Sequence, residues 1–339
     1  MPNQEFRVLH HWLTFVNSIG GVEKMVKKLA LSFTPTPLHL AERLSEHTGT
    51  EIWIKRDDLT GCMATGGNKI RKLEYILADA LEKGADTVIT TGGPQSNHAK
   101  ATAALAVKVG LKPVLVLAGR DPGHRRANLF IDTLVGAEIR FSGARTAEEM
   151  EEALIRTYNE FHLKGKKPYL IPIGGSNGLG SLGYLDAYKE IEGHHFDWIV
   201  VTAGSGGTFA GIYLGNRLSR DRAKLLGISP WLPKEEISLR IRNCIREVDR
   251  DWMEEDLLID DQYIGPGYGK TTPESVHAIQ LLAQLEAILL DHVYTGKTMA
   301  GLLDYINKGI ITFRDRVLFW HTGGAPGLLA IQDWWYNHD

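Results

Sequence analysis

Short runs of apolar and β-branched residues alternate along the chain with longer segments whose apolar residues recur at helical spacing. The short runs predict strands at residues 51–56, 87–91, 113–117, 138–141, 169–172, 198–202, 224–228 and 316–320. The longer segments predict helices, most clearly at residues 68–83, 97–109 and 146–163. This alternation is typical of βαβ units, so we expect an α/β fold with mostly parallel sheets.

Two of the predicted helices carry sequence signals at their ends. The helix predicted at residues 68–83 has one apolar stripe, and Gly84 predicts its end. The third begins at Thr146, and Glu149 stands three residues later, which is the pattern of a capping box.

Length and composition indicate a soluble enzyme with about two domains. The chain has 339 residues and a net charge of −3, which gives no electrostatic reason to expect a nucleic-acid partner. Its cysteines are Cys62 and Cys244, so we expect no disulfide framework and a cytoplasmic location. No apolar run is long enough for a membrane span, and the N-terminal segment lacks the pattern of a secretory signal. No histidine or cysteine spacing predicts a metal site.

Three glycine-rich loops lie where predicted strands are followed by helices. The loop with Gly204, Ser205, Gly206, Gly207 and Thr208 would present backbone N–H groups to an anion such as a phosphate. A plain tight turn is the alternative interpretation. A dinucleotide fingerprint would require a small residue where Phe209 stands.

The loop at residues 65–72 places Lys69 in the first turn of a helix, just after Gly66 and Gly67. A positive helix end lowers the pKa of an amine, which favours a lysine that forms a Schiff base. Arg71 and Lys72 follow, so a solvated basic turn is the alternative.

The loop at residues 91–98 opens the helix at 97–109. Ser96 or Asn97 could act as its N-cap. The helix start would also offer a second anion site, suited to a substrate carboxylate.

Six motifs follow one another along the chain: IKRDDLT (54–60), GGNKIRKLEY (66–75), QSNH (95–98), GSGGT (204–208), VYTGK (293–297) and HTGGAP (321–326). In this order they resemble the tryptophan synthase β-family of pyridoxal-phosphate (PLP) enzymes, within the branch of D-cysteine desulfhydrase and 1-aminocyclopropane-1-carboxylate (ACC) deaminase. The resemblance covers the chain from about residue 33 to the C-terminus. The resemblance implies two open, twisted, mostly parallel-sheet domains with the cofactor, pyridoxal 5′-phosphate, in the cleft between them. Residues 1–71 and 174–339 would form the large domain, and residues 72–173 a small inserted domain.

The resemblance also implies roles for single residues. Lys69 would bind PLP and act as the base at Cα, and Asn97 would bond the cofactor's O3′. Residues 204–208 would hold the phosphate, and Thr322 would face the ring nitrogen. Residues expected to contact the substrate or assist catalysis are Ser96, Asn97, His98, Tyr268, Tyr294 and Thr295.

The resemblance favours α,β-elimination from D-cysteine, because Thr295 and Thr322 match the desulfhydrases. The five-residue loop at 61–65 is closer in length to the deaminases, so ACC deaminase and L-cysteate sulfo-lyase remain alternatives. A nucleotide-binding oxidoreductase is a more distant one. We expect a homodimer that acts on a small amino acid, without a nucleic acid or a membrane.

Overall fold

The computed structural model describes residues 12–19, 22–61, 66–220 and 222–331. The strands are β1 (Trp12–Ile19), β2 (Val22–Leu29), β3 (Leu38–Leu40), β4 (Glu51–Arg56), β5 (Thr87–Gly92), β6 (Lys112–Leu117), β7 (Glu138–Phe141), β8 (Pro168–Leu170), β9 (Trp198–Thr202), β10 (Lys224–Ile228), β11 (Ile259–Asp260) and β12 (Arg316–His321). The α-helices are α1 (Glu42–Thr48), α2 (Lys69–Glu82), α3 (Asn97–Lys108), α4 (Ala127–Leu134), α5 (Ala147–Leu163), α6 (Gly178–Tyr188), α7 (Gly207–Leu218), α8 (Lys234–Val248), α9 (Pro273–Glu286), α10 (Thr295–Asn307) and α11 (Ala325–Leu328). Short 3₁₀ turns lie at Asp57–Leu59, Ile173–Gly175 and Lys189–Ile191.

The strands form two main sheets. One has the order β11-β10-β9-β12-β4-β3, in which only β3 is antiparallel to its neighbour. The other has four parallel strands in the order β7-β6-β5-β8. Strands β1 and β2 form a separate antiparallel pair. The expected α/β fold with mostly parallel sheets is confirmed.

Helices cover both faces of the six-stranded sheet. Successive residues of β9 enter opposite cores: Ile199 and Val201 pack with α6, α7 and α8, whereas Trp198 and Val200 pack with α1, α9 and α10. A parallel strand covered on both faces is apolar at nearly every position. This explains why short continuous apolar runs predicted these strands.

The four-stranded sheet is covered in the same way. Helices α2, α3 and α4 pack on one face, and α5 packs on the other. All four strands come from residues 87–170, while the strands of the six-stranded sheet come from before and after that segment. The boundaries proposed from the sequence, at residues 71/72 and 173/174, stay a prediction.

The predicted elements agree with the structure to within a few residues at their ends. Gly84 follows α2 with a φ of 70°, and Thr146 and Glu149 form the expected capping box. The prediction of a strand at 169–172 is wrong at its C-terminal end, because the strand stops at Leu170. Pro172 has no N–H to continue the ladder, and a 3₁₀ turn follows it. No helix in the described part of the chain combines the length and apolar character needed to cross a membrane.

A buried ionic cluster joins the start of α2 to the six-stranded sheet. The guanidinium of Arg71 donates to both oxygens of Asp57, at 2.9 and 3.1 Å, and to both oxygens of Glu190, at 2.6 and 2.9 Å. Asp57 also accepts from Tyr184 at 2.6 Å and from Trp320 at 2.9 Å. Burial alone would raise the pKa of Asp57, but Arg71 and these hydrogen bonds outweigh it and hold the pKa below its ordinary value.

We expect Asp57→Asn to lower the free energy of unfolding by about 3–5 kcal/mol, because it removes one partner of a buried ion pair. The depressed folded-state pKa stabilises the protein above the ordinary value of 3.8, and this contribution is lost as the pH falls through the folded-state pKa. The difference in the free energy of unfolding between variant and wild type should therefore shrink in acid. Urea titrations at pH 7 and in acid measure this difference. Asp121→Asn, in an exposed pair with Arg125, is the matched control and should change the midpoint little.

Candidate active site

Loops at the carboxyl ends of parallel strands from both sheets surround one cavity of about 920 Å³. Among them are the loops that follow β4, β9 and β12 of the larger sheet and β5 of the smaller one. Ligands of open α/β sheets bind at this edge. The predicted site residues that line the cavity are Lys69, Ser96, Asn97, His98, Gly204, Ser205, Thr208, Tyr268, Tyr294 and Thr322.

Lys69 is the first residue of α2, and its side chain reaches the cavity wall. Burial lowers the pKa of its amine to about 8, although the carboxylate of Asp291 opposes this shift. The positive end of the helix favours the neutral amine as well. Near neutral pH a much larger fraction of Lys69 is therefore the free, nucleophilic amine than for a lysine of ordinary pKa.

The loop before Lys69 is locked to two other loops of the cavity. The backbone N–H of Asn68 donates to the carbonyl of Thr322 at 3.0 Å, and its side-chain amide donates to Thr208 at 2.9 Å. Gly67 has a φ of 133°, and a Cβ there would lie 3.2 Å from the Thr322 carbonyl oxygen. A glycine is thus needed for this close approach.

The loop between β9 and α7 forms a cup of backbone at a helix N-terminus. Gly206 has a φ of 97°, and a Cβ there would lie 3.1 Å from the backbone nitrogen of Ile241. Gly206 and Gly207 shape the cup, while Gly204, Ser205 and Thr208 line the cavity. The Gly207 N–H donates to Ser176 Oγ at 3.2 Å, and the other backbone N–H groups of the loop, together with the helix dipole, make this an anion site.

Lys72 lies directly behind this cup. Its side chain is fully buried, and its Nζ donates to the carbonyl of Gly174 and to Ser176 Oγ, both at 2.7 Å. Ser176 in turn donates to Ser205 at 2.7 Å, and a Cβ on Gly207 would lie 2.9 Å from the Lys72 Nζ. Burial and the nearby Lys69 lower the pKa of Lys72 well below its ordinary value. The solvated basic turn is therefore wrong for Arg71 and Lys72, because both side chains are buried.

The start of α3 forms the opposite wall. Ser96 is its N-cap and accepts from Ala99 N at 3.1 Å, as expected. The Nε2 of His98 lies 2.8 Å from Thr90 Oγ1, and this hydroxyl gives its hydrogen to the Ile171 carbonyl. His98 therefore donates from Nε2. Burial, Lys69 and Lys72 lower the pKa of His98 well below its ordinary value, so the ring is neutral.

Two tyrosines face each other across the cavity rim. The hydroxyls of Tyr268 and Tyr294 are 3.0 Å apart. Trp231 packs edge-on against Tyr268 and donates from Nε1 to the Gly204 carbonyl at 2.9 Å. Burial raises the pKa of both tyrosines, so both are neutral phenols at neutral pH.

Thr295 is not brought to the cavity. It is the first residue of α10 and is fully buried. Its hydroxyl donates to Asp291 Oδ1 at 2.7 Å and accepts from the Asp291 backbone at 2.8 Å. This closed cap occupies the side chain, so the geometry gives no support to the expected substrate contact, which stays a prediction. Residues 62–65, which carry most of the loop at 61–65, lie outside the described residues.

Comparison with known proteins agrees with this geometry. The family model described as "Pyridoxal-phosphate dependent enzyme" matches residues 29–323. The chain belongs to this family. It is 42% identical to a D-cysteine desulfhydrase of Klebsiella pneumoniae strain 342 and 41% identical to a protein of the same name from K. pneumoniae subsp. pneumoniae, in each case over 89% of this chain and 95% of the relative.

Solved structures show the same fold. An ACC deaminase homologue superposes with a TM-score of 0.85 at 39% identity, covering 91% of this chain and 95% of that one. The processed form of threonine deaminase isoform 2 from Solanum lycopersicum has a TM-score of 0.63 at 16% identity, covering 86% and 80%. The second likeness is evidence for the fold alone.

The cavity fits the PLP cofactor of the family. Lys72 has a buried amine whose hydrogen-bonded partners, within the described part of the chain, are a carbonyl and a hydroxyl. Without an opposite charge nearby, burial disfavours the protonated form of this amine, and a phosphate dianion in the neighbouring cup would supply that charge. Lys69 offers the amine for the aldehyde, and Asn97 offers a side-chain amide. No cluster of the described His, Cys, Asp and Glu side chains could hold a metal ion.

Sequence reasoning missed Lys72, Ser176 and Asn68. One signal could have found Lys72: it stands three residues after Lys69 on a helix, so the two side chains are neighbours. Ser176 gave no local signal, because it comes from a loop about a hundred residues away that only tertiary structure brings beneath the cup.

Lys72→Met should weaken PLP binding by roughly 10- to 100-fold, because a hydrogen-bonding cation near the phosphate is lost. Lys83→Met, at the exposed C-cap of the same helix, is the control and should bind normally. Fluorescence titration of the apoprotein with PLP measures both affinities. Equal affinity in the two variants would contradict the placement of the phosphate.

The depressed pKa of Lys69 predicts how fast the apoprotein captures PLP. Since the free amine reacts, the capture rate should rise with pH and level off above about 8. A lysine with the ordinary pKa of 10.5 would give a rate that still rises at pH 9. Stopped-flow absorbance across this pH range distinguishes the two, and Lys69→Arg should capture no PLP.

Proposed function

We propose that the chain catalyses α,β-elimination from D-cysteine. One D-cysteine and one water give pyruvate, ammonia and hydrogen sulfide. The observation that carries the proposal is Lys69: a free amine in a cavity that also offers a phosphate cup and a second helix N-terminus. The relatives named D-cysteine desulfhydrase, which match nearly the whole chain, support the choice of substrate.

Lys69 has two tasks in this proposal. It holds the cofactor, and it then accepts the proton from the substrate Cα. Bound PLP supplies an electron sink for the pair that this proton leaves behind. A base works best when its pKa is close to the working pH, and burial has moved the Lys69 amine toward that range.

The substrate carboxylate is assigned to the start of α3. The helix has twelve residues, and its start lies at the cavity wall that Ser96, Asn97 and His98 line, with the Ala99 N–H already bonded to Ser96 Oγ. The dipole and the other N–H groups of the first turn favour an anion. His98 contributes a neutral ring, so it does not compete with Lys69 for the proton.

Thr322 supports elimination of a good leaving group. It offers a neutral hydroxyl at the wall assigned to the cofactor ring, and the nearby carboxylate of Asp291 is already occupied by the N-terminus of α10. A neutral partner makes the ring a weaker sink, which is sufficient when a thiolate leaves. The neutral phenols of Tyr268 and Tyr294 are assigned to the departing sulfur, and the tyrosine that accepts in the bond between them keeps its O–H free to donate to that sulfur.

Ring opening of ACC is a second candidate, favoured by the solved ACC deaminase homologue and by the length of the loop at 61–65. Elimination of sulfite from L-cysteate is a third. Arg145 and Arg240 line the cavity, so cations that a sulfonate would use are available there.

The proposal includes a homodimer in the cytoplasm. A reducing compartment is supported by Cys244, which is a free, buried thiol. Analytical ultracentrifugation tests the dimer.

Three parallel assays decide the substrate: sulfide from D-cysteine, 2-oxobutyrate from ACC and sulfite from L-cysteate. We expect D-cysteine to have a kcat/KM at least about 100-fold above the other two, a difference of roughly 3 kcal/mol in transition-state stabilisation. Lys69→Ala should abolish sulfide release while the circular dichroism spectrum stays that of the wild type. Dominant release of 2-oxobutyrate or sulfite would replace this function with the corresponding candidate.

A further inference from the structure

Asn128, the second residue of α4, is fully buried behind the cavity wall. Its side-chain Nδ2 donates to the Gln95 carbonyl at 2.9 Å and to Asn97 Oδ1 at 2.8 Å. Asn128 is not among the residues that line the cavity. It therefore touches the site only through its neighbours.

Chemistry fixes which way the Asn128 amide faces. A backbone carbonyl can only accept, so the atom of Asn128 that faces the Gln95 carbonyl must be the nitrogen. With the amide reversed, its oxygen would face two acceptor oxygens. The Oδ1 of Asn128 is buried and has no hydrogen-bond partner among the described residues, so both bonds of this side chain use its donor end.

The orientation of Asn128 fixes that of Asn97. Since Asn128 presents a donor, Asn97 must face it with its oxygen, and the NH₂ group of Asn97 is turned away from Asn128. Asn97 lines the cavity, and its side-chain nitrogen has no hydrogen-bond partner in the part of the chain that the structure describes. Asn97 therefore offers the cavity a donor.

The chain holds Asn128 firmly in this place. Its backbone N–H donates to Gln95 Oε1 at 3.1 Å, and Gln95 Nε2 donates to the Arg126 carbonyl at 3.1 Å. Ala127 has a φ of 46°, a strained conformation for a residue with a Cβ. Such strain persists only where the surroundings enforce it.

We propose that Asn128 is a positioning residue, which fixes the amide of Asn97 so that its NH₂ group donates to the phenolic oxygen of the bound cofactor. The inference rests on the placement of PLP in the proposed function. An amide in the reversed orientation would offer that oxygen an acceptor instead. Asn128 thereby stabilises the ionised form of the oxygen without touching the cofactor.

Asn128→Asp in the holoenzyme is the direct test, because it keeps the shape and, once the new carboxyl is ionised, offers only acceptors. Burial raises the pKa of a carboxyl, so the spectra are recorded at pH 9. Asn97 would then turn its NH₂ group toward the new carboxylate and present its oxygen to the cofactor. The visible band of bound PLP reports the ionised phenolic oxygen, and a near-ultraviolet band reports the protonated one. We expect the ratio of the visible to the near-ultraviolet band at pH 9 to fall at least about tenfold, as for a lost hydrogen bond to a charged group.

Asn97→Ala gives the effect of losing the donor itself and should shift the band ratio in the same direction. The double variant Asn97→Ala/Asn128→Asp should show no further shift, because Asn128 acts only through Asn97. Additive shifts, or a wild-type ratio in Asn128→Asp, would overturn the proposal. An Asn97→Ala protein with the wild-type ratio would overturn it too.

Asn216→Asp is the matched control. Asn216 is a buried asparagine that also donates to a backbone carbonyl, that of Ala223 at 2.9 Å, away from the cavity. This variant should keep the wild-type band ratio. A shift in Asn216→Asp as large as that in Asn128→Asp would show that general destabilisation causes both, and would overturn the proposal. If Asn128→Asp does not fold, Asn128→Ala replaces it and should give a smaller shift in the same direction.

The band ratio is measured without substrate, so it is independent of which substrate the enzyme uses. A wild type that shows the visible band but releases no sulfide from D-cysteine would contradict the proposed function and leave this test intact. Conversely, normal sulfide release by the wild type with an unshifted Asn128→Asp spectrum would contradict only the role of Asn128.

Discussion

The paired bidentate contact of Arg71 with Asp57 and Glu190 is the constraint on which the site depends. Asp57 and the guanidinium are removed from water while Glu190 is partly buried, and breaking a buried pair such as Arg71–Asp57 costs about 3–5 kcal/mol. Arg71 stands two residues after Lys69. The cluster therefore fixes the first turn of α2 against the larger sheet. Because Lys69 lies in that turn, the position of its backbone is fixed as well.

Helix α2, whose first turn is fixed in this way, contacts elements of both sheets. Its apolar stripe packs in the core of the smaller sheet, while its first turn presents Lys69 to the cavity and Lys72 to the back of the glycine-rich cup at 204–208. The loop before it is bonded to the loops after β9 and β12 through Asn68. The N-terminus of α2 thus sets the positions of Lys69 and Lys72 relative to the loops after β9 and β12.

The cavity combines anion-binding groups with neutral groups. Two lysine amines with lowered pKa values lie near it, and two helix N-termini on opposite walls suit anions. Thr322, His98 and the tyrosine pair supply neutral donors and acceptors around the cavity. Burial is the common cause: it lowers the pKa of the amines and of His98, and it raises the pKa of the phenols.

The sequence by itself determined the order of strands and helices, since buried parallel strands are apolar throughout and glycines end the helices. It also determined the Lys69 loop and the phosphate loop, because each lies between a strand and a helix along the chain. Only the tertiary structure decided that Lys72 is buried behind the cup, that the Thr295 hydroxyl is hydrogen-bonded to Asp291 and that Asn128 orients Asn97. These contacts join residues distant in the chain or depend on which end of an amide faces a carbonyl, and no local pattern encodes either.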